Sequence, residues 1–147
     1  MYGIIATWRM ALEGISKADS MLKNNENAAD SIEEAIKAVE DFEYYKSVGY
    51  GGLPNEEMEV ELDAAFMDGG TLEFGCVGGI KDFANPVSIA RSLMHYDANN
   101  FLVGQGAEKY ASRHGFERKT MLTDRAKIHY HNRIKEITNT ELKPYSG

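Results

Sequence analysis

A mixed α+β fold is predicted from three features of the 147-residue sequence. Apolar side chains recur at helical spacing between residues 11 and 42, and a period-two pattern runs from residue 58 to a glycine-rich turn at 68–70. Further helical stretches follow residue 85. The chain is 43% hydrophobic and 27% charged, which suits a single folded domain over residues 1–147.

The first third predicts a strand followed by two helices. Residues 2–6 form a short apolar run, which we interpret as a buried strand. The first helix is indicated by apolar residues at helical spacing, namely Ala11, Ile15, Ala18 and Leu22. It ends at the asparagine pair 24–25. The second helix begins near residues 27–30 and its apolar stripe extends to Phe42, with Glu40 placed off that stripe.

The middle third predicts a β-hairpin. Residues 58–67 alternate apolar and acidic side chains, which is typical of a half-buried strand. The Asp-Gly-Gly turn at 68–70 then reverses the chain. On the return strand, 72–76, alternation predicts that Phe74 and Cys76 face inward.

The last third predicts three helices and a short strand. A helix is expected to start at Asn85-Pro86, because the asparagine side chain can cap it and proline suits its first turn. The remaining elements are a strand at 101–103, a helix from about 105 to 114 capped by Gly115, a helix at 122–135 and an open tail at 138–147. Three or four strands make a thin sheet for five helices, so we expect the sheet to be completed from outside this chain.

The net charge of −7 argues against non-specific binding of nucleic acid. The charge is uneven: residues 1–80 hold 16 acidic and 5 basic side chains, whereas residues 81–147 hold 7 acidic and 11 basic ones. The basic excess lies mainly in 113–135. It is interpreted as a solvated helix face or a patch for an acidic partner subunit, with a polyanion-binding tail as the alternative.

A cytoplasmic protein without a membrane partner is expected. No apolar run approaches the length that spans a bilayer, and no basic segment precedes the apolar start at residues 4–6. The single cysteine, Cys76, cannot form an internal disulfide, which fits a reducing compartment.

Spacing alone identifies no catalytic group, metal site or cofactor site. The glycine pairs do not form the dinucleotide-binding fingerprint, and the histidines at 129 and 131 are too close to ligate one metal from a helix face. Asp63 and Asp68 could form a carboxylate pair, although Asp68 is better explained by the turn. Cys76 fits a small buried hydrophobe better than a nucleophile. Trp8 stands at a strand-to-helix corner, where a side chain often faces a ligand.

The loop 47–55, Ser-Val-Gly-Tyr-Gly-Gly-Leu-Pro-Asn, concentrates three glycines within four positions. Glycine permits backbone angles that other residues avoid and allows close approach to the main chain. Gly49, Gly51 and Gly52 therefore indicate either a tight turn before the next strand or the floor of a binding site.

Five segments occur in an order and spacing that resemble a known family. They are I-I-A-T-W at 4–8, S-V-G-Y-G-G-L-P-N at 47–55, E-L-D-A-A-F-M-D-G at 61–69, G-C-V-G-G-I at 75–80 and F-L-V-G-Q-G-A-E at 101–108. Over roughly residues 3–116 the chain resembles the α subunit of the glycosylasparaginase branch of the N-terminal-nucleophile asparaginases.

The resemblance implies a four-layer αββα sandwich shared with a separate β subunit. Members of that family are made as one precursor that cuts itself before a threonine. This new N-terminal threonine is the nucleophile and its own amino group the base. Gly147 resembles the glycine that precedes the cleavage site, so the tail at 138–147 would lie next to it. A dimer of αβ heterodimers without a cofactor is then expected, with no catalytic residue in this chain.

The resemblance carries over to a few residues only. Trp8 matches the tryptophan that lines the substrate pocket, and Ser47 matches the serine near the nucleophile. Gly49, Gly51 and Gly52 would let the main chain pass close to the substrate. Arg9 and Met10 depart from the family's Thr-Trp-Pro-Phe pattern.

The implied substrate is a small molecule with an asparagine-type side-chain amide. The plant-type branch has a His-Gly-Gly-Ala-Gly segment where this chain has Thr7-Trp8, so N4-(β-N-acetylglucosaminyl)-L-asparagine or a related β-aspartyl amide is favoured. An L-asparaginase or isoaspartyl peptidase is the first alternative. An inactive relative that serves as a binding or structural protein is the second.

Overall fold

The computed structural model describes residues 1–139, and its fold is mixed α+β as predicted. The helices are α1 (Leu12–Lys23), α2 (Ala28–Glu40), α3 (Pro86–Leu93), α4 (Gly104–Arg113) and α5 (Asp124–Asn139). The strands are β1 (Glu61–Met67), β2 (Phe74–Lys81) and β3 (Phe101–Val103). Of the predicted tail, residues 138 and 139 belong to α5, and residues 140–147 lie outside the described part of the chain.

The three strands form one sheet in the order β1-β2-β3. β1 and β2 are an antiparallel hairpin, as predicted, and β3 runs parallel to β2. The Asp68 carboxylate accepts hydrogen bonds from the backbone N–H of Gly70 at 2.7 Å and of Thr71 at 3.2 Å. The turn role of Asp68 is therefore confirmed, because its side chain satisfies the turn's own backbone.

A β-bulge shifts the register of the hairpin between Leu62 and Ala64. Gly79 adopts a φ of +58°, and its N–H donates to Asp63 Oδ1 at 2.7 Å. The extra residue in β2 allows Val77 and Ile80, three positions apart, both to be buried. Gly79 thus supplies the left-handed backbone conformation at the bulge.

One face of the sheet is covered by α3 and α4. The core between these layers is formed by Leu62, Phe66, Val77, Ile80, Val87, Ile89, Ala90, Leu93, Ala107, Tyr110 and Ala111. At Gly75 the contact with α3 is so close that an added Cβ would lie 2.0 Å from the backbone oxygen of Ala90. Glycine is required there because the helix backbone packs directly on the strand.

The opposite face of the sheet is uncovered in residues 1–139. Its large side chains are Met67, Phe74, Phe101 and Val103, which are 59%, 43%, 59% and 61% exposed. The prediction that Phe74 and Cys76 face inward was wrong, because the intervening positions, Gly75 and Val77, are the ones that face α3. Alternation predicts two faces of a strand but not which of them is covered.

The strand predicted at residues 2–6 does not form in the described chain. The segment instead lies along an apolar groove of about 390 Å³ whose other walls belong to α1 and α2. A strand needs a neighbouring strand for its backbone N–H and C=O groups, and the three-stranded sheet does not reach this segment.

Helices α1 and α2 form a hairpin whose boundaries match the prediction. Asn27 caps α2, its side-chain oxygen accepting from the N–H of Ala29 at 2.7 Å. The helices pack through small residues: an added Cβ at Gly14 would lie 2.3 Å from the backbone oxygen of Ala35. Ile32 of the apolar stripe faces the groove beneath residues 2–6, and Ile36 of the same stripe contacts both the groove and the main core.

Candidate functional site

The corner at Trp8 begins the short 3-10 helix Arg9–Ala11, which leads into α1. Trp8 itself is extended, with φ −119° and ψ 142°, and its backbone oxygen accepts from Ala11 N–H at 3.0 Å. Its indole is 54% exposed, so it is not a core residue of the described chain. The side chain is therefore free to contact a ligand or a second chain.

A pocket of about 380 Å³ lies beside this corner. Its walls are formed by Arg9, Met10, Leu12, Glu13 and Tyr45. The two residues that depart from the family pattern, Arg9 and Met10, thus line the pocket rather than pointing away from it. Tyr45 joins the corner to the glycine loop, since Ser47 follows it by two residues.

Backbone hydrogen bonds join the glycine loop to two other segments of the chain and also close a turn within the loop. Tyr50 N–H donates to the Glu40 backbone oxygen at 2.7 Å, Gly51 N–H to that of Met121 at 2.9 Å, and Gly52 N–H to that of Gly49 at 3.1 Å. The loop therefore connects the end of α2 with the segment before α5.

The glycines have steric reasons to be glycine within this chain. Gly49 and Gly51 adopt φ values of +60° and +80°. A Cβ at Gly49 would lie 2.0 Å from the Glu40 backbone oxygen, and one at Gly51 would lie 2.5 Å from that of Glu43. At Gly52 it would meet Val60 Cγ1 at 3.3 Å. Close packing explains these glycines directly.

Ser47 lies on the outer side of the loop and is exposed. Two tyrosines near Ser47 in the chain contact cationic side chains from the C-terminal third. Lys119 Nζ lies 4.1 Å from the ring centroid of Tyr50, and the Arg125 guanidinium lies 4.2 Å from the ring centroid of Tyr44. Such cation–π contacts tie the loop and its lead-in to the basic segment.

Glu40 is a buried carboxyl at the point where α2, the glycine loop and α3 meet. Its side chain is 5% exposed and accepts from Val87 N–H and from Asn85 Nδ2, each at 3.3 Å. Burial raises the pKa of Glu40 to about 7, while the Asn85 and Val87 hydrogen bonds act in the opposite direction.

The apolar periodicity of α2 leaves Glu40 off the stripe and does not indicate its burial. The predicted cap of α3 is wrong in the same way: the helix begins at Pro86, but Asn85 forms no side-chain cap. The Asn85 amide instead donates to Glu40 and, at 3.0 Å, to Asp41. The Glu40 carboxyl, from another helix, accepts the first-turn N–H of Val87 in its place.

The other candidates from the sequence lie apart from this region. Cys76 and Asp63 are on the uncovered face of the sheet, and Asp68 closes the hairpin turn. The His131 imidazole interacts with the backbone oxygen of Lys127 at 2.7 Å. Within residues 1–139, no group of three or more histidine, cysteine or acidic residues is arranged to hold a metal ion.

The basic segment is partly engaged within the chain. Arg118 pairs with Glu108 at 3.0 Å and Lys127 with Asp124 at 3.0 Å. Burial and the neighbouring cations Lys46 and Arg125 lower the pKa of His129. These contacts favour a solvated helix face over a polyanion-binding tail. No helix in the described part of the chain has the length and apolarity needed to cross a membrane.

The family described as Asparaginase matches residues 6–146, which is nearly the whole sequence. The chain belongs to this asparaginase family. The resemblance stated from the five segments is thereby confirmed, and the match extends beyond residue 116 into the part where the segments were not distinctive.

Relatives of two kinds are similar to the chain. It is 35% identical over 120 residues to an N(4)-(β-N-acetylglucosaminyl)-L-asparaginase of Elizabethkingia miricola, covering 82% of this chain and 35% of the relative. An isoaspartyl peptidase/L-asparaginase of Rattus norvegicus is 36% identical over 124 residues, covering 80% and 37%. A plant-type L-asparaginase of Pyrococcus horikoshii is 40% identical over 118 residues, covering 80% and 38%. The chain thus spans about a third of the length of the curated relatives it matches.

Proposed function

We propose that this chain is the α-subunit portion of an amidohydrolase that cleaves the side-chain amide of asparagine-type substrates. The observation that carries the proposal is membership of the asparaginase family over residues 6–146. A β subunit from the same precursor would supply the N-terminal threonine nucleophile, and two αβ pairs would form the complete enzyme. Residues 1–147 would form one domain of that assembly.

The uncovered face of the sheet supports the presence of a second chain. Four large apolar side chains are half exposed there, on a sheet whose other face is fully covered. Contiguous exposed apolar surface of this kind marks an interaction site. In the proposed assembly a sheet of the β subunit packs on this face and completes the αββα sandwich.

The chemistry would follow the order of acyl transfer to a hydroxyl. The threonine oxygen forms a bond to the amide carbon, the C–N bond breaks, and the amine leaves with a proton. Water then hydrolyses the β-aspartyl ester and releases aspartate. Trp8 would line the substrate pocket and Ser47 would lie near the nucleophile; both side chains are exposed in the described chain. Gly49, Gly51 and Gly52 would keep the loop backbone close to the aspartyl end.

We favour N4-(β-N-acetylglucosaminyl)-L-asparagine or a related β-aspartyl amide as the substrate. The basis is Thr7-Trp8 in place of the plant-type glycine-rich segment. An L-asparaginase or isoaspartyl peptidase is the competing assignment, because relatives with those names are similar at 36% and 40% identity. Relative rates on the glycosylated asparagine, free asparagine and a β-aspartyl dipeptide distinguish them.

Ser47→Ala tests the proposed site. Loss of one hydrogen bond to a charged or reacting group lowers kcat/KM by roughly 10- to 100-fold on a β-aspartyl anilide. Ser20→Ala is the matched control, since Ser20 is exposed on α1 and bonds only to the Ser16 backbone oxygen, at 3.1 Å. Equal kcat/KM values for the two variants would mean that Ser47 is not part of the active site.

The assembly itself is tested by intact mass and N-terminal sequencing of every chain that co-purifies. A second chain beginning with threonine, together with amide hydrolysis, is the expected result. Hydrolysis at background level by a cleaved assembly would favour the inactive relative, for which Arg9 and Met10 in the pocket wall are the motivating observation.

A further inference from the structure

Glu40 holds three elements together through two different parts of the same residue. Its backbone oxygen accepts Tyr50 N–H at 2.7 Å, and the absence of a Cβ at Gly49 allows the loop to pack on it. Its carboxyl accepts the N–H of Val87 in the first turn of α3. A displacement of Glu40 would therefore move the glycine loop and release the start of α3 together.

From this geometry we infer that Glu40 is a positioning residue, which places the Ser47 loop through its buried carboxyl at the N-terminus of α3. Asn85 cannot replace it as a cap, since its amide is directed to Glu40 and Asp41. The consequence for catalysis rests on the proposed function, but the placement of the loop does not.

The surroundings of the carboxyl disfavour its ionised form. The charged groups that face it are acidic, namely Glu33 on α2 and Asp41, the residue that follows α2. Glu33 is neutralised by Arg91 of α3, which also bonds to Asp30. From α3, the Asn85 amide and the Val87 N–H are uncharged partners, and from the loop the contact is the backbone of Tyr50. None of these is a cation paired with Glu40.

Ionisation of Glu40 thus opposes the packed arrangement. Because the pKa is raised to about 7 by burial, the closed arrangement has its full stability below the ordinary carboxyl value of 4.5. That stability is lost as the pH rises through about 7. A charged carboxyl that moves towards water would carry the backbone oxygen, and hence the loop, with it.

Hydrogen exchange of the purified assembly measures this directly. In the wild type we expect opening of a peptide covering residues 44–53 to increase roughly tenfold between about pH 6 and 8, after correction for intrinsic exchange, since one pKa unit is a factor of ten. Glu40→Gln keeps one of the two acceptor oxygens, which can still accept the Val87 N–H, but it cannot ionise, so its loop should not respond to pH.

Glu34→Gln is the matched control, because Glu34 lies on the same helix and pairs with Lys17 and Lys37 instead of the loop. It should respond as the wild type does. A pH response that persists in Glu40→Gln, or that is absent from the wild type, overturns the inference.

Activity separates this inference from the proposed function. If the loop responds as expected, kcat/KM of Glu40→Gln should exceed that of the wild type above pH 7, with the ratio returning to one below about pH 5. The expected exchange pattern in an assembly that hydrolyses no β-aspartyl amide would leave Glu40 as the positioning residue and reject the amidohydrolase. An unchanged ratio in an active assembly would mean that the loop does not serve the site.

Discussion

The two faces of the sheet differ in how much of their environment this chain supplies. On one face, α3 and α4 bury Leu62, Phe66, Val77 and Ile80 to at least 93%. On the other, Met67, Phe74, Phe101 and Val103 remain 43–61% exposed. Both faces carry apolar side chains from the same strands. The difference shows that apolar residues on a strand indicate a need for cover, and that the cover can come from another chain.

The same distinction applies to the two helical regions. The α3–α4 layer joins the sheet through a continuous apolar core. The α1–α2 hairpin packs the partly buried Ala29 and Ile36 against this core and also meets α3 through polar contacts, in which Glu33 accepts hydrogen bonds from Ser88 at 2.5 Å and from Arg91. Its apolar stripe faces the groove under residues 2–6. Within residues 1–139, the groove and the uncovered sheet face are thus both left without a complete apolar cover.

Gly75→Ala should disrupt the packing of α3 on the sheet, and it has the largest expected effect on the free energy of unfolding. The new Cβ would lie 2.0 Å from the Ala90 backbone oxygen and 2.8 Å from Met94 N, so α3 would have to move off β2. We expect the free energy of unfolding to fall by about 3 kcal/mol or more, measured by denaturant titration of the assembly. Gly69→Ala, which meets nothing within 4 Å, is the control. Equal stability of the two variants would contradict the packing described.

Phe101→Ala tests whether the second face is covered in the assembly. If a second chain buries this ring, which is 59% exposed here, the change should lower the free energy of unfolding by about 2–4 kcal/mol. Leu93→Ala on the covered face is the reference, with a similar cost of about 2–5 kcal/mol. A cost for Phe101→Ala below about 0.5 kcal/mol would mean that this face stays in water.

Of the three substitutions, Glu34→Gln is expected to change the free energy of unfolding least. It compares a partly exposed, ion-paired carboxylate with the buried carboxyl of Glu40. Hydrogen bonds from Lys17 and Lys37 lower the pKa of Glu34 to about 2, so its contribution is present above pH 4.5 and is lost as the pH falls towards 2. Because the side chains of Lys17, Glu34 and Lys37 are 54%, 31% and 32% exposed, solvent screens the pairs, and we expect the free energy of unfolding to fall by less than about 1 kcal/mol at pH 7. The difference from the wild type should disappear in acid unfolding below pH 2. A difference that persists there would point to another cause.

Local patterns predicted most of the elements. The end of α1 at the asparagine pair, the Asn27 cap, the Asp68 turn and the Gly115 end of α4 all depend on side chains within a few residues of the boundary. Such short-range hydrogen bonds and backbone angles are readable without a tertiary structure. These boundaries therefore agree with the structure to within a few residues, whereas β2 extends to Lys81 instead of ending at residue 76.

The errors concern contacts that cross the chain. Cys76 was assigned to the wrong face, because only the docking of α3 on Gly75 decides which side of β2 is covered. The strand at residues 2–6 was predicted from composition, although no strand edge of the described sheet adjoins it. Glu40 was predicted to lie off the apolar stripe of α2, although it is buried. Its burial depends on Val87 and Asn85, more than forty positions away.

The candidate site was predicted in part. Trp8 and Ser47 were identified through the family resemblance, and both are exposed in the structure. Their roles remain predictions. Tyr45, which links the corner to the loop, was not identified, because nothing in the local pattern distinguishes it from its neighbour Tyr44.

The sequence by itself determined the mixed α+β class, the order of the helices and strands from α1 onwards, the hairpin and the asparaginase family. These depend on periodicity, on turn chemistry and on motifs that are local in the chain. The tertiary structure alone decided which face of the sheet is covered, why Gly49 and Gly51 are glycines, and that Glu40 is buried where three elements meet. Burial and steric contact are properties of residues brought together across the fold, so no local pattern encodes them.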